Sequence, residues 1–301
     1  MKHVNSIELS DSDIESVKKI ALDILTEIDK ICRENNLKYS LASGTLLGAV
    51  RHKGFIPWDD DVDIVMLYED YQKFLEIANS KLDKKFYIAT PEKSDVYSQL
   101  FTKVMAKSTV FGESYFAYSK GHPNGIFVDI FPLYPTDNIY KHQKRQNITA
   151  KICKSMLYIK SNYFFNQTGM RLLYFYLRRF AYFFIPRKFI IKKFKKSALK
   201  YNNHQSDYAM ALTGLGSDTV DRSLFKKEWF ESLIDIDFEG HKFYAFSDYD
   251  TYLKHLFSDY MKLPPKEERH PHHYVNKFEV KNYNEHWQAL HNNQAYNWIF
   301  I

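Results

Sequence analysis

The strongest constraint on this chain is a pair of carboxylates at the mouth of a buried strand. Val62 to Leu67 is an apolar, β-branched run, and Asp61-Val62-Asp63-Ile64 leads into it. Side chains two residues apart on a strand share a face, so Asp61 and Asp63 project together from its start. A paired carboxylate of this kind suits two Mg²⁺ ions about 4 Å apart, the arrangement used for in-line phosphoryl displacement. Asp129 is the natural third ligand. It lies in the apolar run Gly125-Ile-Phe-Val-Asp-Ile-Phe131, where an ionisable group is costly to bury without a role. Upstream, Gly44–Thr45 falls at a strand-to-helix turn, where backbone N–H groups and a hydroxyl can hold a phosphate. Asp59 and Asp60 read more simply as turn residues after Pro57.

The surrounding pattern is a helix followed by a small mixed sheet. Ser12 and Glu15 have capping-box spacing, and Ile14, Val17, Ile20, Ile24, Ile28 and Ile31 recur every three or four residues. Strands are expected at Lys38–Ala42, Val62–Leu67, Phe86–Ala89, Leu100–Met105 and Ile126–Phe131. A short helix should run to about Arg51, and a longer one from Glu69 to Leu82.

Charge divides the chain. Between Asn138 and Ser206 there is no Asp or Glu, yet 16 Lys and Arg, although the net charge of all 301 residues is only +6. The expected organisation is a catalytic core over 1–137, a basic, aromatic, mostly helical insert over 138–206, and a C-terminal part over 207–301 that completes the core. The fold class is α+β. Two cysteines cannot build a disulfide framework, which points to a reducing compartment. The polar start of the chain shows no apolar signal core, and no run of 18 uncharged apolar residues exists. His255, His270, His272 and His273 lack the cysteine or acidic partners of a usual zinc site.

The segment GTLLGAVRHKGFIPWDDDVDI, residues 44–64, resembles the signature of the LicD family, which includes bacterial phosphocholine transferases and is related to the fukutin group. FEGHKFYAFSDYDTYLKHLFSDYMKLPPKEERHPHH, residues 238–273, is similar to that family's closing block. The likeness covers roughly 11–137 and 224–273 and implies a nucleotidyltransferase-like mixed sheet flanked by helices.

It further implies Mg²⁺-dependent transfer of phosphocholine from CDP-choline to a sugar hydroxyl of a cell-surface glycan, with release of CMP. The acceptor class would be a teichoic acid, lipopolysaccharide or capsule precursor, lipid-linked or polymeric. Asp61, Asp63 and Asp129 would hold the metal, most simply two Mg²⁺ with Mn²⁺ as the alternative, and Asp129 would take the hydroxyl proton. Gly44 and Thr45 would grip donor phosphate, with Arg51, Lys53 and Lys103 as candidate cations. Trp58, and less directly Tyr115, Phe116 or Tyr118, would wall a choline headgroup. Arg269 or His270 would fold back onto the donor pocket.

Leu172 to Leu199 mixes aromatics with Lys192, Lys193, Lys195 and Lys196, the composition of a membrane-surface element on anionic lipid. The expected location is therefore cytoplasmic, peripheral on the inner face of the cell membrane. Competing readings are the same chemistry with another phospho-alcohol or sugar-phosphate donor, an RNA-directed nucleotidyltransferase, and a non-catalytic regulator. No nucleic-acid partner is expected, because the insert pairs its charges with an apolar face.

Overall fold

In the computed structural model, residues 6–163, 169–215, 218–271, 273–280 and 283 are described. The chain opens on α1 (Asp11–Glu34), whose Val17, Ile20, Ile24, Ile28 and Ile31 are all buried. Its cap is two residues earlier than Ser12–Glu15 spacing suggests. The Ser10 hydroxyl accepts from the Asp13 N–H and the Asp13 carboxylate accepts from the Ser10 N–H. Aspartate at the third helical position closes the same reciprocal box with a shorter arm.

Then follow β1 (Ser40–Leu41), α2 (Ser43–His52), β2 (Asp63–Leu67), α3 (Tyr68–Lys81), β3 (Phe86–Ala89), β4 (Thr102–Ala106), β5 (Val110–Glu113) and β6 (Phe127–Pro135). The basic insert supplies α4 (Tyr140–Lys160), α5 (Met170–Phe183) and α6 (Arg187–Ala198). The remainder is β7 (Tyr208–Ala211), α7 (Val220–Ser223), β8 (Leu224–Lys226), β9 (Leu233–Phe238), β10 (His241–Phe246), α8 (Tyr249–Phe257) and β11 (Val275–Glu279). β1 is shorter than the expected Lys38–Ala42, because Ala42 already serves as the extended cap of α2.

Strands β1, β2, β6, β4 and β3 lie in that order, with β7 on β6 and β8 beyond β7. Only β2 and β6 run parallel. β6 is the longest strand and changes partner along one edge: β4 pairs as far as Ile130, and β7 begins at Leu133. Pro132 falls in that gap. The Asp129 N–H donates to Val62 O on the β2 side, so alternation turns Pro132 toward the opposite edge. Its missing donor thus falls between two partners, where no ladder bond is lost.

β2 and β6 pair with Asp63 beside Asp129, and β4 pairs with Lys103 opposite Asp129. All three side chains therefore share one face. The other face carries the core: Thr102, which alternates with Lys103, bonds the Tyr71 hydroxyl of α3 at 2.6 Å. A second apolar cluster joins α4 and α6 to β7 around Cys153, Leu157, Phe194 and Met210. Two more ribbons, β9–β10 and β5–β11, lie outside that sheet.

Candidate active site

A cavity of about 460 Å³ opens where α2, the loop before β2 and the segment after α8 meet. Its floor is acidic, lined by Asp59, Asp61 and Asp63 beside Gly44. α2 approaches this floor closely. A Cβ on Gly44 would lie 2.6 Å from an Asp59 carboxylate oxygen, and one on Gly48 would lie 2.4 Å from Gly54 O. Both glycines of the GTLLG segment thus admit the loop that carries Trp58 and the three aspartates. Gly48→Ala is expected to cost about 1–3 kcal/mol by pushing that loop outward, seen as a lower chemical-denaturation midpoint.

Thr45 does something other than line the cavity. It is buried, and its hydroxyl accepts the Asp63 N–H at 2.8 Å, fixing where β2 starts. It is a positioning residue for Asp63.

The carboxylates repel one another. Asp59 is pushed up to about 8, first by burial and then by Asp61 and Asp60, with a hydrogen bond to Asp61 adding to it. Burial, followed by the charges of Asp61, Asp129 and Asp59, drives Asp63 well above the usual carboxylate range. Asp129 is raised to about 7 by burial, opposed by Lys103 and reinforced by Asp61 and Glu113. The Asp129 Oδ1 is buried and accepts no hydrogen bond, with Lys103 Nζ 3.5 Å away. Adjacent strands lie about 4.8 Å apart, so Asp63 and Asp129 meet as the register dictates.

Behind the floor runs an alternating chain of charges. His273 Nδ1 is 3.0 Å from Asp60 Oδ1, and its Nε2 is 4.0 Å from Glu113 Oε1. Lys103 Nζ is 3.3 Å from Glu113 Oε2. Burial alone would discharge His273, but Asp60 and then Asp61 and Glu113 outweigh it and lift the imidazole to about 10. Asp59, Asp60, Asp61, Asp63, Asp129 and Glu113 thus face two cations, the half-buried His273 and the buried Lys103. One carboxylate oxygen from each of Asp59, Asp60 and Asp61 lies within 4.8 Å of the other two. This oxygen-only, over-negative donor set fits a hard divalent cation.

The rim carries both signs of charge, Arg51 and Lys262 beside Asp259 and Glu268. The Arg51 Nη1 donates to Tyr260 O at 2.9 Å, and Arg269 donates to Pro264 O at 2.9 Å while its guanidinium lies 5.4 Å from the Trp58 ring centroid. Burial and then the Arg269 charge lower Arg51, so the two guanidiniums are neighbours. Neither makes an ion pair among the described residues. One face of Trp58 is thus occupied by the protein's own cation.

The other sequence candidates lie elsewhere. Lys53 is exposed, in the left-handed cap of α2, and does not line the cavity. Lys103 is buried behind Asp129. His270 is exposed and turned to Pro271 O, while His272 lies outside the described residues. Tyr115 and Phe116 stack with Tyr163 and His122, and Tyr118 faces Tyr176 and Arg179 near α5, away from the acidic floor. Asp60, Glu113 and His273 carry more of the site than their sequence context suggests. Their signal is the β5–β11 pairing, which sets Glu113 opposite Val275 across a long sequence separation.

A carboxylate floor at the start of a parallel strand pair, with Arg51 beside it, is the arrangement of a nucleotidyltransferase-like transferase. The model of the LicD/FKTN/FKRP nucleotidyltransferase domain matches residues 36–166. The chain is 32% identical over 267 residues to the lipopolysaccharide cholinephosphotransferase LicD of Haemophilus influenzae, covering 84% of this chain and 93% of that protein. An uncharacterized protein of Rickettsia typhi is 42% identical over 77 residues, 24% of this chain and 25% of that protein. The human ribitol 5-phosphate transferase FKRP is 28% identical over 107 residues, 34% of this chain and 18% of that protein. The chain belongs to the LicD family and is a transferase.

Proposed function

We propose that this enzyme transfers phosphocholine from CDP-choline to a sugar hydroxyl of a lipopolysaccharide-type glycan, releasing CMP. The observation that carries the reading is the acidic floor formed by Asp59, Asp61 and Asp63 beside Arg51, with Asp129 paired to Asp63 across the two parallel strands behind it. The likeness to the Haemophilus influenzae cholinephosphotransferase supports the donor headgroup and the acceptor class.

In this reading Arg51 and Arg269 hold the donor phosphates. The acceptor oxygen forms a bond to the β-phosphorus as the bond to the CMP oxygen breaks. The hydroxyl proton passes to the Asp129 carboxylate. Mg²⁺ held by Asp61, Asp63 and Asp129 would neutralise phosphate charge. Lys103 and His273 keep the carboxylates in place from behind.

The test is acceptor-dependent CMP release with CDP-choline, Mg²⁺ and lipopolysaccharide. Release with the cytidine diphosphate of ribitol but not of choline would favour a second reading, motivated by the shorter match to the ribitol 5-phosphate transferase. No release with either donor would overturn both.

The divalent cation has a readout separate from activity. Asp59 and Asp129 bind protons more tightly folded than unfolded, with values of about 8 and 7 against an ordinary 3.8. Their contribution to stability is full below about pH 4 and is lost as pH rises through 7 and 8. Metal-free protein is therefore expected to show a melting temperature that falls across this window, relative to protein with Mg²⁺. His273 acts in the same sense, its contribution falling from about pH 6.5, the ordinary value, to about 10. Identical melting curves with Mg²⁺ and with chelator at pH 8 would contradict cation binding at the floor.

A further inference from the structure

We infer that α5 is a docking face for an anionic lipid surface, and that it lies flat on it. The helix is built inside out. None of its residues is buried, and its inward stripe carries Arg178 and Arg179. Arg178 donates to Ser155 Oγ at 2.7 Å, and Arg179 bonds Ile159 O at 3.4 Å and the Asn162 side chain, all on or just past α4. Lys160 returns a bond to Tyr182 O at 3.0 Å. The outward stripe is Leu173, Tyr176, Leu177, Phe180, Phe183 and Phe184, between 53% and 73% exposed. A helix meant to face water carries the opposite arrangement.

An apolar patch of this extent marks an interaction site. Its occupant follows from the charges at its ends. Arg171 stands at one end, and Lys188, Lys192, Lys193 and Lys196 are exposed on α6 at the other. No Asp or Glu occurs between 138 and 206 to oppose them. A second copy docked face to face would set these cations against their own kind. A leaflet of anionic headgroups over an apolar interior matches both features. A helix of 14 residues is about 21 Å long, too short to cross a bilayer. Among the described residues no helix is long and apolar enough to span a membrane.

The experiment is vesicle flotation of the full chain. It is expected to float with vesicles containing phosphatidylglycerol, to stay behind with pure phosphatidylcholine, and to release as salt rises. Phe180→Ser with Phe183→Ser and Phe184→Ser should lower partitioning about tenfold or more, with unchanged melting because no buried contact is lost. Lys188→Glu with Lys192→Glu, Lys193→Glu and Lys196→Glu should do the same. Lys195 is left intact because it pairs with Glu92 at 2.9 Å. Transfer to a soluble acceptor fragment should be unaffected by either set, which separates this face from the cleft chemistry. Equal recovery with both vesicle types, no recovery with either, or a dimer that the phenylalanine variant dissociates would overturn the proposal.

Discussion

Asp63→Asn is expected to lower turnover about a thousandfold or more while making the metal-free protein more stable. The carboxylate is buried among Asp61, Asp129 and Asp59, so in the folded state its charge is opposed by its own neighbours. Asparagine keeps the shape, and the backbone N–H that Thr45 accepts is untouched. Removing one repelling group should raise stability by about 1 kcal/mol, roughly 2–4 °C in melting temperature. The same change removes a group that acts where phosphate charge rearranges, so the loss should appear in kcat rather than KM. Mg²⁺ should raise the melting temperature of the parent protein and leave the variant's unchanged. A variant that loses stability and activity together would make Asp63 a structural residue instead.

That opposition between stability and function also explains what could be read from the residues alone. Local signals were sufficient wherever one element decides its own structure. The three-and-four spacing of isoleucines places α1 with its buried face correct, and Phe86–Ala89 is a strand with the bounds its pattern suggests. Asp61, Asp63 and Asp129 stand out because carboxylates interrupt apolar strands, a conflict that a core would not keep. Register then does the rest, setting Asp63 beside Asp129 and Lys103 across from it.

What failed to show was set by distant pairing. β5 and β11 join segments that have no local reason to meet, and only their pairing brings His273 to Asp60 and Glu113. Within the stretch Arg269 to His273, the residues look interchangeable until the turn geometry separates them. Arg269 reaches the Trp58 ring, His270 faces solvent, and His273 is enclosed. The insert is similar. Its composition announces aromatic and basic residues, but only the packing on α4 reveals that α5 turns Arg178 and Arg179 inward.

The second large effect is expected at Lys103. Its ammonium is 1% exposed, between Glu113 at 3.3 Å and Asp129 at 3.5 Å, and 3.0 Å from the centroid of the Phe127 ring. Burial alone would raise Glu113, yet Lys103 and then His273 hold it below the ordinary carboxylate value. Lys103→Met leaves two buried carboxylates with His273 as their remaining cation. Breaking a buried pair from one side costs about 3–5 kcal/mol, so the variant should unfold at clearly lower denaturant. The double variant Lys103→Met with Glu113→Gln should recover part of that loss, with a coupling of about 1–3 kcal/mol in a mutant cycle. Activity offers a second readout that a purely structural lysine would not move. Lys103 opposes the upward shift of Asp129, so its removal keeps Asp129 protonated to higher pH. The acid limb of the pH–rate profile should therefore move toward alkaline pH in Lys103→Met. An unshifted limb with intact folding would mean that Asp129 is not the proton acceptor.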